Sequence, residues 1–121
     1  MTNCVLLNAR SLRNKLSELH ALLKCSRPEI LIVTESWLDS SVSDGVVDPT
    51  GAYTIYRHDR MSRVGGGVLA LVSNHFHSYQ IHVPKCFNRC ELECFELVTD
   101  LSTFRIIVLY HPPDFNALGR E

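Results

Sequence analysis

The sequence predicts an α/β sheet protein, on three observations. Short, nearly continuous apolar runs are separated by polar breaks; leucines at helical spacing lie between the first two runs; the rest of the chain offers strand after strand with no second long helical pattern. The expected content is about six or seven strands and one main helix.

The elements follow in chain order. Cys4-Val5-Leu6-Leu7 is a short apolar run, expected as a buried strand that ends at Asn8. Leu12, Leu16, Leu19, Leu22 and Leu23 then form one stripe of an amphipathic helix. Ser11 is its expected N-cap, and Pro28 turns the chain out of it. Ile30-Leu31-Ile32-Val33 is a second buried strand, rich in β-branched residues and ending at Thr34-Glu35. Strand, helix and strand make a βαβ unit, so these two strands should be parallel with a right-handed crossover. Unbroken apolar runs suit strands covered on both faces.

From Asp39 to Gly51 the composition turns to Ser, Asp, Gly and Pro, a loop. Tyr53-Thr54-Ile55-Tyr56 and Val68-Leu69-Ala70-Leu71-Val72 read as a hairpin joined through a basic turn, Arg57 to Arg63, and Gly65-Gly66-Gly67. His75 to Val83 is a weak strand or loop. Leu92 to Val98 and Phe104 to Tyr110 are two more strands, with Asp100 to Thr103 as their turn.

Size and charge narrow the function classes. A chain of 121 residues, 45% hydrophobic and 21% charged, is ordinary for one globular domain. A net charge of −1 gives no overall pull toward nucleic acid or acidic membranes, so any such contact must come from local patches. The opening apolar run is too short for a signal peptide, and no stretch approaches the roughly 18 apolar residues that span a bilayer. The chain is expected to be soluble and intracellular, and its five cysteines reduced.

Chemistry is expected where three apolar strands end in a polar residue: Asn8, Glu35 and Tyr110. Ligands of α/β sheets bind outside the carboxyl ends of strands. The βαβ geometry puts Asn8 and Glu35 at one sheet edge, and Tyr110 joins them if its strand runs in the same sense. A carboxylate beside a neutral amide suits a hard cation such as Mg²⁺; the plainer reading is two polar residues capping strand ends.

The same positions carry a resemblance. Leu7-Asn8-Ala9-Arg10-Ser11-Leu12-Arg13-Asn14-Lys15-Leu16, then Thr34-Glu35-Ser36-Trp37-Leu38-Asp39, then Tyr53 through Val72, then Tyr110-His111-Pro112-Pro113 resemble, in order and spacing, the endonuclease domain of non-LTR (LINE, chicken-repeat-like) retrotransposons. That family belongs to the endonuclease/exonuclease/phosphatase superfamily, so the resemblance implies the N-terminal part of a four-layer α/β/β/α sandwich and Mg²⁺-dependent nicking of DNA. It implies Glu35 as the metal-binding glutamate. Asn8 would order metal and phosphate, and Tyr110 would approach the scissile phosphate.

The family continues with a Gly-Asp-x-Asn motif and a Ser-Asp-His motif, which this sequence does not show before Glu121. Asp114-Phe115-Asn116 lacks the preceding Gly and follows Pro113 directly, so 114–121 is expected to be an unrelated tail after a truncated domain at 1–113. The expected activity is therefore lost or severely impaired. Two alternatives stand: a non-catalytic domesticated or pseudogene-derived protein, and a phosphatase-like member of the superfamily. DNA is the expected partner, with no membrane and no small-molecule cofactor. A truncated sandwich should expose a sheet face through which it self-associates.

Other signals carry less. Arg10 and Arg13 flank Asn8, and Arg57, Arg60 and Arg63 lie in the basic turn; all five are candidates for DNA phosphate contacts, with a solvated hairpin tip as the equal alternative for the second group. Cys86-x3-Cys90-x3-Cys94 resembles an iron–sulfur spacing, with His75, His77 and His82 upstream. It contains no CxxC pair, and Cys94 falls in a strand, so no metal site is expected there. The triple glycine lacks the Lys-Ser/Thr of a phosphate loop and enters a strand, which makes it a tight turn. Trp37 is expected in the core rather than stacked on a base.

Overall fold

The apolar punctuation of the sequence becomes two packed sheets and one helical layer. The computed structural model describes residues 3–60, 66–82 and 91–111; Arg63, Gly65, Cys86, Cys90 and 112–121 lie outside that range. Seven strands and two helices are described: β1 (Cys4–Asn8), α1 (Leu16–Cys25), β2 (Ile30–Thr34), α2 (Asp44–Val47), β3 (Tyr53–His58), β4 (Val68–Ser73), β5 (His77–Gln80), β6 (Glu91–Val98) and β7 (Thr103–Tyr110).

The first sheet has the order β1-β2-β4-β3 and the second β5-β6-β7. As the βαβ pattern requires, β1 and β2 are parallel, with Asn8 opposite Thr34. The expected hairpin is β3–β4, antiparallel with Tyr53 opposite Ser73. β6 and β7 pair antiparallel along their whole length, from Glu91 opposite Tyr110 to Val98 opposite Thr103.

Strand alternation splits the core in two. Leu31, Val33, Leu69 and Leu71 face α1, where they meet Leu12, Leu19 and Leu23. Ile30, Val68, Ala70 and Val72 face the second sheet and meet Phe95, Leu97 and Val108. Tyr56 and Phe95 stack across the sheets with ring centroids 4.9 Å apart. Each large β4 side chain so buried stabilises the fold by about 1.5–3 kcal/mol. Helix, sheet and sheet are three layers of the expected sandwich, and the fold class is the one the sequence predicted.

Four local expectations are corrected. β1 is not buried: Leu6 is 72% exposed, and Val5 is the one β1 residue that is half-covered. It is an edge strand, and the second sheet packs on β3 and β4 rather than reaching it. Ser11 does not cap α1, which starts five residues later behind Lys15 with no side-chain cap. Ser11 is instead buried in the loop after β1, its N–H donating to the Glu35 carbonyl at 2.9 Å. Leu12 is core but precedes the helix. The 39–51 loop also holds one short helical turn, α2.

Candidate active site

Parallel pairing of β1 and β2 continues past the strand ends and builds the site. Ala9 N–H donates to the Thr34 carbonyl, Ser11 N–H to the Glu35 carbonyl and Leu12 N–H to the Ser36 carbonyl, at 2.8–2.9 Å. Three backbone hydrogen bonds hold the two loops together. They take unusual conformations to do it: Arg10, Ser11, Glu35 and Trp37 all have positive φ, at 48°, 92°, 52° and 57°. Non-glycine residues there cost about 1–3 kcal/mol each, and such strain gathers where surrounding structure over-determines the geometry.

That geometry brings the three predicted side chains together. Asn8 Nδ2 donates to Glu35 Oε2 at 2.7 Å. Tyr110 arrives from the other sheet, as the last residue of β7, and its phenol faces the Glu35 carboxylate. Burial pushes the Tyr110 pKa up from the ordinary tyrosine value, and the negative charge and hydrogen bonding of Glu35 push it further. The phenol is thus a neutral donor throughout the physiological range.

Two residues that sequence reasoning did not single out complete the surround. Glu91, 7% exposed at the start of β6, accepts from Gly67 N–H at 2.8 Å and from the Arg60 fork at 3.2 Å through both oxygens. Ser36 is fully buried, and its hydroxyl and the Trp37 indole N–H have no hydrogen-bond partner among the described residues. The tight turn read from the glycines holds at Gly66 and Gly67, with φ of 66° and 91°. Glu91 opens a strand that carries two further glutamates, Glu93 and Glu96, so no sequence signal set it apart.

The arginines separate into two groups. Arg57 is 16% exposed and fully engaged: it donates to Asp59, Asp44 and the carbonyls of Val42 and Asp39. Arg60 is held by Glu91. The Arg57 guanidinium is not presented to a ligand, because neighbouring carboxylates and carbonyls take its donors, while Arg60 gives Nε and Nη2 to Glu91. Arg13 pairs with Asp39 at 2.9 Å on the surface, and Arg10 is exposed and forms no ion pair with a described residue.

Among the described residues, no three His, Cys, Asp or Glu side chains gather as a metal cluster. Cys94 is a free thiol on β6, buried against the sheet. His75 and His77 are exposed. A cleft of about 910 Å³, lined by Leu23, Lys24, Arg27, Pro28, Tyr53 and Asn74, opens at the opposite end of the first sheet, away from Glu35. No described helix is long and apolar enough to cross a membrane.

Solved structures share this two-sheet α/β arrangement. The chain superposes on an AP endonuclease, LMAP, from Leishmania major (TM-score 0.70, 16% identity, 98% of this chain and 43% of that one). It superposes on the 3′ phosphatase NExo from Neisseria, bound to a product DNA hairpin (TM-score 0.68, 16% identity, 99% and 48%). Truncated Caenorhabditis elegans TDP2 follows (TM-score 0.62, 20% identity, 93% and 47%). At these identities the likeness is one of fold. The chain spans less than half the length of each of these structures. No protein-family model matches it, and no curated protein matches it.

Proposed function

We propose that this chain supplies the metal- and phosphate-binding part of a Mg²⁺-dependent DNA phosphodiesterase site of the retrotransposon-endonuclease kind. By itself it cleaves DNA poorly or not at all. The observation that carries this reading is the convergence of Asn8, Glu35 and Tyr110, with Asn8 Nδ2 2.7 Å from Glu35 Oε2.

The donor set fits the cation. The Asn8 N–H occupies one oxygen of Glu35, which leaves the other carboxylate oxygen and the Asn8 amide oxygen as hard donors. Mg²⁺ is held in many sites by one or two carboxylates and keeps several waters, so few protein ligands suffice for weak binding. When bound, it neutralises charge on a phosphate oxygen. Glu35 anchors that charge. The Asn8 amide fixes the carboxylate's rotamer. The neutral Tyr110 phenol donates a hydrogen bond to a phosphate oxygen, and exposed Arg10, with Arg13 beside it, adds positive charge along the backbone path. These residues bind and polarise. They include no group placed to orient a water in line with the leaving oxygen, and loss of members of such a unit costs several orders of magnitude in rate.

Binding of Mn²⁺ as a paramagnetic stand-in, followed with the intact chain, tests the metal half. Glu35→Ala is expected to abolish it, and equal binding by the variant would overturn the assignment. Plasmid nicking tests the other half: robust cleavage abolished by Glu35→Ala would sink the claim of poor activity.

A second reading, a phosphatase of the same fold, is favoured by the likeness to a 3′ phosphatase. Release of inorganic phosphate from a 3′-phosphorylated oligonucleotide, without nicking, would put it first. Metal binding with neither activity would leave a non-catalytic binding module.

A further inference from the structure

We infer that Glu91 is a positioning residue for Glu35, acting through Arg60 and the Gly66–Gly67 strap. The inference rests on the reading of Glu35 as a metal ligand. Glu35 and Trp37 both stand in the left-handed region, with Ser36 between them. Nothing in their side chains favours that conformation, so something outside must hold it. The strap does. Ser36 N–H donates to the Gly67 carbonyl at 3.2 Å and Trp37 N–H to the Gly66 carbonyl at 2.8 Å.

The strap is in turn held by one carboxylate. Gly67 N–H donates to Glu91 Oε2 at 2.8 Å, and Arg60 forks onto both Glu91 oxygens at 3.2 Å. The guanidinium lies against Gly66, where a Cβ would fall 2.3 Å from the arginine's Cζ. A Cβ on Gly67 would fall 2.6 Å from the buried Ser36 hydroxyl oxygen. Strap and metal-site turn therefore touch without a side chain between them. Glu91 also pairs across the strands with Tyr110. A single buried carboxylate thus ties the β6–β7 ladder, which carries Tyr110, to the turn that carries Glu35. A buried ion pair is a weak source of net stability, but it is well suited to fixing one register between two sheets.

The test uses the intact chain and two readouts. In Glu91→Ala, amide hydrogen exchange at Ser36 and Trp37 is expected to rise about tenfold or more, while Ala70 and Phe95 in the core ladders stay within about twofold. Mn²⁺ affinity is expected to fall by about tenfold, a change that general loosening with intact core protection would not produce. Glu91→Gln keeps an acceptor for Gly67 N–H and is expected to recover most of both. Where Glu91→Ala does not fold, Gly67→Ala strains the strap without touching the ion pair and is expected to move the same two amides. Unchanged exchange at Ser36 and Trp37 in a folded variant overturns the proposal, as does unchanged Mn²⁺ affinity. If the unsubstituted chain binds no Mn²⁺, the metal reading fails, and exchange still judges the strap by itself.

Discussion

β1 and β4 flank β2 in the same sheet, and their sequences read alike: Cys4-Val5-Leu6-Leu7 against Val68-Leu69-Ala70-Leu71-Val72. β4 is buried at every position, between α1 and the second sheet. β1 is exposed at all but Val5. An apolar run marks a strand that needs cover, but the cover comes from the layer stacked on it. The second sheet lies over β3 and β4 and stops short of β1. The loop that follows Asn8 leaves the poorly covered strand, while the turn that carries Glu35 leaves β2, which is largely buried.

The largest test of this comparison is truncation. Leu71→Ala in β4 is expected to cost about 2–5 kcal/mol, because it leaves a cavity between fully packed layers. Leu6→Ala in β1 should stay within about 0.5 kcal/mol. Equal losses in denaturant melts would mean that β1 is covered in solution.

Self-association is the next effect. Leu6 on β1 and Ile107 and Leu109 on the outer face of β7 are exposed apolar side chains. The chain is expected to self-associate as its concentration rises. Ile107→Lys or Leu6→Lys should shift sedimentation toward monomer with little change in melting. A monomer at all concentrations would remove that expectation.

The smallest effect compares two carboxylates on one strand. Glu93 lies on the inner face of β6 and is 3% exposed; burial pushes its pKa up against the opposing help of Gln80. Glu96, on the outer face, is held below the ordinary value by hydrogen bonds from Tyr79 and Arg105. Because the folded pKa of Glu93 is raised, its contribution is fully present below the unfolded value and declines as pH rises through the folded one. Glu93→Gln should therefore raise the melting temperature at pH 7 by a few degrees at most, and change little near pH 4. Glu96→Gln should do the reverse: a slight loss at pH 7 that vanishes as pH falls below the folded pKa. Parallel pH profiles for the two variants would contradict the assignment of faces.

The candidate site was legible in part. Asn8 and Glu35 follow from the βαβ unit, since parallel strands end at the same edge. Tyr110 could be placed only conditionally, because which sheet β7 joins is not a local property. Arg57 and Arg60 read as candidate phosphate contacts or a solvated hairpin tip, and became internal clamps because Asp44, Asp59 and Glu91, 13, 2 and 31 residues away along the chain, fold back onto them. Glu91 carried almost no signal, as its partners are one backbone N–H and one arginine.

Periodicity and strand-end chemistry belong to the sequence by itself: one main helix, about six or seven strands, a parallel first pair, and polar residues where apolar runs stop. These depend on neighbours a few residues apart, whose spacing sets which face each side chain takes. Tertiary structure alone decided which apolar strand is covered, which arginines are engaged, and that Glu35 is held in a left-handed turn by a glycine strap from another strand. Each of those depends on groups distant in sequence that meet only when two sheets stack.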